Sequence, residues 1–403
     1  MKAFLDAHIH SKHSGATSKY MTITEMARHA EWKGVKILGT GDVLHPRWQQ
    51  TLMDNLSEDG TGLYSTSESK TLFVASTEVS LEESRSWTGW KIHLVLLLPS
   101  LEDAKRISRP LFRYASNMYD GRPTLNLSPR DTVAMIRSEC PEATIMAAHI
   151  LTPWYSLFGS KFGFDSIREC FEDMADEING LESGLSATPD MIRMMSELDA
   201  YPIVSFSDAH SPHNIGREAT ALEIETFSYT NLKQALRKPL FTIEFFPQHG
   251  KYHYDGHRKC GFSCTPEEST DFGGKCPKCG KKLTLGVAYR VSELKDRETP
   301  INVPMFYHHV PLYEIVAESM GRKPQEQIVK QVVFRLATEA GNEFKLMYGT
   351  PEWRLRELAS ERVADAIMRI RRNEVKVKPG YDGVYGEVRL WEDNQQSQMG
   401  LFK

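Results

Sequence analysis

Histidine and carboxylate side chains recur at the ends of apolar runs in the first half of the chain. His8 and His10 follow the first run, and Asp208 and His210 follow a run near residue 204. In a strand, residues i and i+2 lie on one face, so the members of each pair point the same way. Residues of the same types stand at the apolar runs between them: Asp42, Glu78, His93 and His149. Gathered at one edge of a sheet, such imidazoles and carboxylates would bind several divalent ions of the Zn, Mn or Fe type.

The alternative for any one of these residues is structural, because a single histidine at a strand end is more often a hydrogen-bonded core residue than a metal ligand. Two paired positions with four more ligand types between them are hard to explain in that way. Closely spaced divalent ions lower the pKa of a bound water and stabilise the attacking and leaving oxygens of an in-line phosphoryl displacement. The set therefore indicates metal-dependent phosphoester hydrolysis.

Four of the six cysteines form a second cluster, at Cys260, Cys264, Cys276 and Cys279. Two close pairs separated by a short loop are typical of a closed, tetrahedral structural zinc site. Disulfides are one alternative, which a cytosolic location disfavours. The other alternative is that His257 replaces one of the thiolates.

The elements that must position these residues alternate between strand and helix over the first 240 residues. The pattern predicts strands at 3–9, 35–40, 71–77, 91–97, 144–148, 177–182 and 202–207, and helices at 22–32, 101–117 and 129–140. Repeated strand–helix units of this size indicate an α/β barrel or a doubly wound sheet. Later segments predict helices at 312–320, 325–340 and 351–372 and a β-hairpin over 375–391.

Length and composition exclude several other classes of protein. A chain of 403 residues suggests two to three domains. Its 40% hydrophobic and 25% charged residues argue against disorder, collagen and a coiled coil as the main architecture. The longest apolar run, residues 94–98, is far below the roughly 20 residues of a membrane span. Charged and imidazole side chains stand where a signal peptide needs an apolar core, so a cytoplasmic location is expected.

Charge is divided unevenly along the chain. The net charge of −4 gives no global field for nucleic acid. Residues 1–240 carry 24 Lys and Arg against 31 Asp and Glu, whereas residues 241–403 carry 25 against 22. This division suits an acidic, cation-binding half beside a mildly basic half that touches phosphates, and the alternative is simply a solvated surface.

The ligand series resembles the polymerase and histidinol phosphatase (PHP) family, on the residues at 6–10, 40–42, 78, 93, 148–149 and 207–210. The resemblance implies an α/β fold, a distorted (βα)7 PHP barrel, with a two- or three-metal phosphoesterase site. It implies metal ligands at His8, His10, Glu78, His93, His149, Asp208 and His210. In this hypothesis Glu78 and Asp208 are the catalytic residues, because they hold the attacking hydroxide.

The chain departs from the PHP pattern after the second strand. The family usually has Thr-Asp-His there, whereas this chain has Thr40-Gly41-Asp42, so Asp42 is predicted as a ligand ahead of His13 and His45. The usual third ligand soon after the first histidine pair has no clear counterpart. The resemblance therefore implies two or three divalent metals, of Zn, Mn, Mg or Fe, besides one structural Zn.

The whole chain resembles the endonuclease Q family of PHP-domain DNA repair endonucleases. The motifs are those at 39–42, 181–186, 207–210 and 380–386, with the four-cysteine ribbon and the helical module between them. The resemblance implies a lesion-specific endodeoxyribonuclease acting on uracil, hypoxanthine, xanthine and abasic sites in DNA. Such an enzyme nicks the phosphodiester 5′ to the lesion and leaves a 3′-hydroxyl. The zinc and helical regions are implied to help hold DNA.

Four segments follow from these patterns. Residues 1–245 are predicted to form the PHP barrel, residues 246–298 a zinc-binding module, and residues 299–392 a helical module that ends in a hairpin. Residues 393–403 are predicted to form a flexible tail.

Two further stretches suggest partners. The aromatic segment after His149 includes Trp154, Tyr155 and Phe158, which would stack on an extruded base or wedge the duplex. The alternative is a packed loop that covers the barrel mouth. The tail contains Gln398, Met399, Leu401 and Phe402 and resembles the peptide that binds the bacterial sliding clamp. The alternative is that the tail docks on the protein itself.

Two other functions compete with DNA repair. One is a PHP-type phosphatase for a small phosphate monoester, which would need neither the zinc ribbon nor the tail. The other is a DNA-binding scaffold with a degenerate barrel, which the near-complete ligand set opposes.

Overall fold

Most strands belong to one large sheet. The computed structural model of the chain describes residues 1–83, 89–117 and 119–391. Its strands are, in chain order, β1 (Lys2–Asp6), β2 (Ile37–Gly39), β3 (Ser57–Glu58), β4 (Tyr64–Thr66), β5 (Ser69–Glu82), β6 (Lys91–Leu98), β7 (Ala115–Asn117), β8 (Thr124–Leu125), β9 (Thr144–Ala147), β10 (Gly180–Glu182), β11 (Ile203–Val204), β12 (Ala219–Glu223), β13 (Phe241–Glu244), β14 (Asp255–His257), β15 (Phe262–Cys264), β16 (Phe306–His308), β17 (Lys376–Lys378) and β18 (Glu387–Arg389).

Helices lie between the strands and dominate the last hundred described residues. They are α1 (Ile23–Lys33), α2 (Pro46–Asn55), α3 (Leu101–Leu111), α4 (Pro129–Glu139), α5 (Ile167–Phe171), α6 (Pro189–Ile192), α7 (Tyr229–Ala235), α8 (Pro266–Asp271), α9 (Val287–Leu294), α10 (Leu312–Met320), α11 (Gln327–Ala340), α12 (Glu352–Leu358) and α13 (Glu361–Arg371). In the part of the chain that the structure describes, none of these helices is long and apolar enough to cross a membrane.

Seven strands of the large sheet surround the candidate site. Their order is β1, β2, β5, β6, β9, β10, β11. A parallel bridge between Ile9 and Ala209 joins the segments that follow β1 and β11, which brings the two ends of this row together. The α/β class is confirmed, but the sheet is mixed, because β6 pairs antiparallel with both β5 and β9. The finer prediction of a distorted (βα)7 barrel stays a prediction.

Helix α1 shows how the sequence determines an element beside this sheet. The Thr22 side chain accepts the backbone N–H of Glu25 at the N-terminus, and Gly34 ends the helix in the left-handed region at φ 99°. Met26 and Ala27 lie on the buried face, and α1 packs against β5. Burial of the Met26 side chain contributes about 1.5–3 kcal/mol to stability. The helix predicted at 22–32 is confirmed within one residue at each end.

Strand β5 is twice as long as the sequence predicts. The predicted strand ends at residue 77, whereas β5 continues to Glu82, and Val79 and Leu81 are fully buried in its second half. The first half pairs with β2 and the second half with β6 and β8. Glu78 therefore lies inside a strand rather than at its end.

The C-terminal helices form a second hydrophobic core around Val333, Leu336 and Ile367. The predicted helix at 351–372 is two helices, because Ser360 breaks it and accepts the N–H of Val363 as the cap of α13. The predicted hairpin is confirmed, since β17 and β18 pair antiparallel. The four predicted segment boundaries stay a prediction.

Candidate metal centre and substrate cavity

Three groups of potential metal ligands share residues around Glu78. The groups are His8, His10 and Glu78, then Glu78, His93 and His149, and finally His10, Asp208 and His210. Oε1 of Glu78 lies 2.5 Å from Nδ1 of His93 and 3.1 Å from Nε2 of His149. Oε2 of Glu78 lies 3.4 Å from Nε2 of His10. Because Glu78 and His10 each belong to two groups, the three groups of candidate ligands overlap.

The backbone at this centre adopts conformations that most side chains avoid. His149 has φ 29°, Asp208 has φ 46° and Asp42 has φ 50°, all in the left-handed region. Such strain persists where the surrounding structure enforces it, and it clusters at functional sites. Gly184 lies against His149, since a Cβ at position 184 would approach the Cβ of His149 to 2.5 Å. The turn after β10 therefore needs glycine to let His149 reach Glu78.

Three atoms that face the centre form no hydrogen bond within the described part of the chain, although they lie 3.1–3.6 Å from one another or from Glu78. Nε2 of His8, Nε2 of His10 and Oδ1 of Asp208 are buried without a hydrogen bond among the described residues. Buried polar atoms are rarely left in this state unless an ion or water completes them. The opposite nitrogens of the two imidazoles are held by carboxylates: Nδ1 of His8 lies 2.9 Å from Glu182, and Nδ1 of His10 lies 3.1 Å from Asp42. This arrangement leaves Nε2 as the ligand atom, and the donor set fits divalent metals.

Electrostatics favour cations at the same place. Burial acts to raise the pKa of Glu78, but His93 and His8 outweigh it and hold that pKa well below its usual value. The pKa of Asp208 is likewise lowered by His10 and His8 against the effect of burial. Burial lowers the pKa of His93 to about 4, although the neighbouring Glu78 carboxylate acts in the opposite direction. At neutral pH the centre therefore offers ionised carboxylates as ligands.

Asp42 is set apart from the other predicted ligands. It belongs to none of the three ligand groups that the described residues form. Its carboxylate accepts the backbone N–H and the hydroxyl of Ser11 at 2.6 and 2.7 Å and holds Nδ1 of His10. Asp42 thus lies behind the ring of His10 and outside the grouped ligand atoms, so its predicted ligand role stays a prediction. The rings of His13 and His45 stack on each other at 4.4 Å, outside the same groups.

Glu182 is a site residue that the sequence prediction missed. It is fully buried at the end of β10, and besides holding His8 it accepts the backbone N–H of His149 at 2.8 Å. The Glu182 carboxylate thus holds both the ring of His8, which follows β1, and the strained backbone of His149, which follows β9. The available signal was its place at the end of an apolar run, which is shared by the other site residues.

Replacing Asp42 with Asn should weaken metal binding by about 10- to 100-fold, because the uncharged amide supports the imidazole of His10 less well. Chelator competition with Mn²⁺ measures this affinity. Asp59→Asn, which changes an exposed carboxyl group in a turn, is the matched control. Equal Mn²⁺ affinity in wild type and the Asp42 variant would contradict the orienting role.

A cavity of about 270 Å³ opens beside the ligand groups. Arg122, a second residue that the sequence prediction missed, lines this cavity and donates from Nη1 to Oε2 of Glu78 at 3.0 Å. Trp154 and Tyr155 form another part of the wall. The Tyr155 ring lies 5.0 Å from that of His93, so the aromatic wall is continuous with the metal centre. The cavity therefore combines a cation and aromatic surfaces next to the ligands.

Comparison with known proteins places this geometry in a family. No family model matches the chain. It is 28% identical to the uncharacterized protein YqxK of Bacillus subtilis over 413 residues, covering 96% of the chain and 99% of YqxK. It is 31% identical to the uncharacterized protein MJ0043 of Methanocaldococcus jannaschii over 292 residues, 69% of the chain, but spans only 35% of the length of MJ0043.

Solved structures decide the family. The crystal structure of the lesion-specific endonuclease PfuEndoQ from Pyrococcus furiosus is 32% identical, with a TM-score of 0.88 over 98% of this chain and 97% of that one. The chain belongs to the endonuclease Q family. A second endonuclease Q structure, in complex with a 27-mer duplex that carries an abasic lesion at the active site, is 32% identical with a TM-score of 0.86 and 98% coverage of both chains.

Only two of the three aromatic residues predicted to contact DNA lie in a suitable place in this endonuclease Q chain. Trp154 and Tyr155 are half-buried in the cavity wall. Phe158 is fully buried in the main core, and its carbonyl accepts a hydrogen bond from the Nε–H of Arg290 at 3.0 Å. The expectation for Phe158 is corrected, because a side chain without exposed surface cannot stack on a base.

The candidate zinc-binding group of this endonuclease Q chain also differs from the predicted one. The structure groups His257 with Cys260, Cys276 and Cys279, and Nδ1 of His257 lies 3.3 Å from Sγ of Cys279. Cys264 lies outside this group and is buried. In the hairpin of β14 and β15, His257 pairs with Phe262, and Cys264 lies two residues further from the turn. The alternative in which His257 replaces one thiolate is the one that the geometry supports. A set of one histidine and three cysteines remains typical of structural zinc.

The tail residues predicted to bind a clamp, at 398–402, lie outside the described residues. The clamp-binding segment therefore stays a prediction.

Proposed function

We propose that the protein is a metal-dependent DNA repair endonuclease that nicks the phosphodiester 5′ to uracil, hypoxanthine, xanthine and abasic sites. One observation carries the proposal: three ligand groups converge beside an aromatic and cationic cavity, in a chain that matches lesion-specific endonucleases over its whole length. We assign metal binding to His8, His10, Glu78, His93, His149, Asp208 and His210, with Glu78 and Asp208 at the reacting centre.

The residues around the cavity divide the work of recognition and hydrolysis. Bound divalent ions, two or three in number, would supply water activation and stabilisation of the leaving oxygen. Arg122 balances the charge of the phosphodiester, since its guanidinium lines the cavity beside Glu78. Trp154 and Tyr155 offer ring faces to a base that has been extruded from the duplex. Glu182 contacts the His8 ring and accepts the backbone N–H of His149, which positions both residues to bind metal.

Replacing Trp154 with Ala should lower the single-turnover rate on a duplex containing one deoxyuridine by roughly 5- to 150-fold, the range expected for loss of one stacked base. Trp154→Phe keeps a ring face and should retain most of the rate. Wild-type rates in the alanine variant would show that this segment only packs over the barrel mouth.

The lesion range is tested with labelled duplexes that carry one uracil, hypoxanthine, xanthine, abasic site or normal base. The proposal expects a nick in each damaged strand and none in the normal one. Turnover of a phosphate monoester without any nick would favour the PHP phosphatase.

We also propose that the tail recruits the enzyme to a bacterial sliding clamp. Deleting residues 398–403 should remove clamp binding, measured by surface plasmon resonance, while intrinsic nicking stays at the wild-type rate. Clamp affinity unchanged by the deletion would discard this partner.

A further inference from the structure

Tyr385 lies on a loop that joins β17 to β18, and its ring is 65% exposed. A single exposed aromatic residue is common on protein surfaces and by itself indicates nothing. The features that distinguish Tyr385 are the backbone contacts of its loop, the cation beside its ring, and the contact between the underlying segment and the cavity wall.

The loop is fixed by backbone contacts to residues 248–254. Gly380 donates its N–H to the carbonyl of Gln248 at 2.8 Å, and Gly386 donates to that of His249 at 3.0 Å. At Gly386 the two backbones are so close that a Cβ would approach the carbonyl oxygen of Gln248 to 2.1 Å. The exposed ring is therefore carried on a platform that cannot easily move.

A second anchor ties the same loop to the zinc-binding region. The carboxylate of Asp382 accepts the backbone N–H of Arg258 at 2.6 Å and the hydroxyl of Thr284 at 2.7 Å. The loop thus contacts both residues 248–249 and the region of the candidate zinc site. Tyr385 lies between these two sets of contacts along the loop.

The segment under the loop continues into the cavity wall. The rings of Tyr252 and Trp154 meet edge to face at 4.6 Å, and Trp154 lines the cavity. Nζ of Lys251 lies 4.5 Å from the centroid of the Tyr385 ring. One stretch of chain therefore supplies a cation for phosphate and connects two aromatic surfaces, one inside the cavity and one outside it.

We infer that Tyr385 is a stacking residue that inserts beside the extruded nucleotide and replaces it in the base stack, while Lys251 contacts the adjacent phosphate. This inference rests on the proposed function and extends it. Extrusion of a nucleotide leaves neighbouring bases without a partner face. An exposed aromatic ring above the segment that contacts the cavity wall compensates for that loss, since stacking on an aromatic side chain is tolerant of sequence.

The test compares Tyr385→Ala and Tyr385→Phe in the full chain, with Trp353→Ala as the matched control, because Trp353 is also 65% exposed but lies in α12. Single-turnover nicking is measured on a uracil-containing duplex and on the same strand without its complement. We expect Tyr385→Ala to lower the nicking rate about tenfold on the duplex. On the single strand, where no base stack must be refilled, the decrease in rate should be several-fold smaller. Tyr385→Phe should match wild type, since the ring and not the hydroxyl acts.

Binding provides a readout that does not depend on nicking. A duplex with 2-aminopurine next to an abasic site reports on stacking through its fluorescence, and Tyr385→Ala should leave the probe brighter than wild type does. Equal fluorescence, or an equal loss of rate on both substrates, would overturn the inference. Failure of wild-type protein to nick any lesion would instead contradict the proposed function. The 2-aminopurine fluorescence would then still test whether Tyr385 stacks on the DNA.

Discussion

Replacing Asp208 with Asn should reduce nicking of a lesion-containing duplex by about 10³-fold, the effect of removing one preorganised charge from a reacting centre. Oδ1 of Asp208 lies 3.1 Å from Nε2 of His10 and 3.6 Å from Nε2 of His8. An amide at this position keeps the shape of the side chain but loses the negative charge that the metals require. Asn also accepts the left-handed backbone at this position, so the fold should persist.

Three measurements separate this prediction from simple unfolding. Single-turnover nicking reports the loss of activity, elemental analysis reports a lower metal content, and thermal unfolding should stay close to wild type. Asp54→Asn, which alters an exposed carboxyl group that contacts only Gln50 among the described hydrogen bonds, is the control. An Asp208→Asn enzyme with wild-type activity would remove this residue from the centre.

The largest effect on stability is expected from Lys33→Met, which should lower the free energy of unfolding by about 3–5 kcal/mol. Nζ of Lys33, in the last turn of α1, lies 2.8 Å from Oε1 of Glu343, after α11, and both side chains are buried. The pair joins helix α1, which packs against the large sheet, to the C-terminal helices. Loss of the ammonium leaves a buried carboxylate whose partners among the described residues are the N–H of Leu312 at 3.1 Å and Nε2 of His309 at 3.4 Å.

Urea unfolding at neutral pH measures this loss. The double variant Lys33→Met/Glu343→Gln should recover much of it, because the amide still accepts from Leu312 and no charge remains buried. An unfolding free energy within about 0.5 kcal/mol of wild type in the single variant would show that the pair does not hold the two parts together.

The same pair gives a dependence on pH. Burial acts to raise the pKa of Glu343, but Lys33 and His309 outweigh it and lower that pKa to about 2, against a usual value of 4.5. The stabilisation is therefore present above about pH 4.5 and is lost as the pH falls from there towards about 2. Unfolding curves across this range should show a steeper loss of stability in wild type than in Lys33→Met.

Local patterns predicted the elements with clear caps and periodicity. Helix α10 has the predicted bounds, Leu312 to Met320, because Pro311 precedes it and Gly321 follows it in the left-handed region. The breaks that the sequence prediction missed depend on weaker signals. From the sequence, Ser360 is compatible with the interior of a helix, and the structure shows that its hydroxyl caps α13.

The candidate site was predicted through residue types at run ends, and the structure brings seven of the predicted ligands together in overlapping groups. The residue types did not distinguish a ligand from the residue behind it, because Asp42 and Asp208 both follow apolar runs and only the fold places one behind His10. Arg122 carried no signal, since it lies in a loop before β8 that pairing with β5 brings to the centre. Roles that depend on contacts between distant segments needed the structure.

The most direct test of metal-dependent, lesion-specific nicking is product mapping on an end-labelled duplex with one deoxyuridine at a known position. With Mg²⁺ or Mn²⁺, the predicted result is one nick immediately 5′ to the deoxyuridine, with a 3′-hydroxyl that a DNA polymerase can extend. The nick should disappear with excess chelator, with Asp208→Asn and with an undamaged duplex. An intact damaged strand, or equal cleavage of the damaged and undamaged duplexes, would contradict the account.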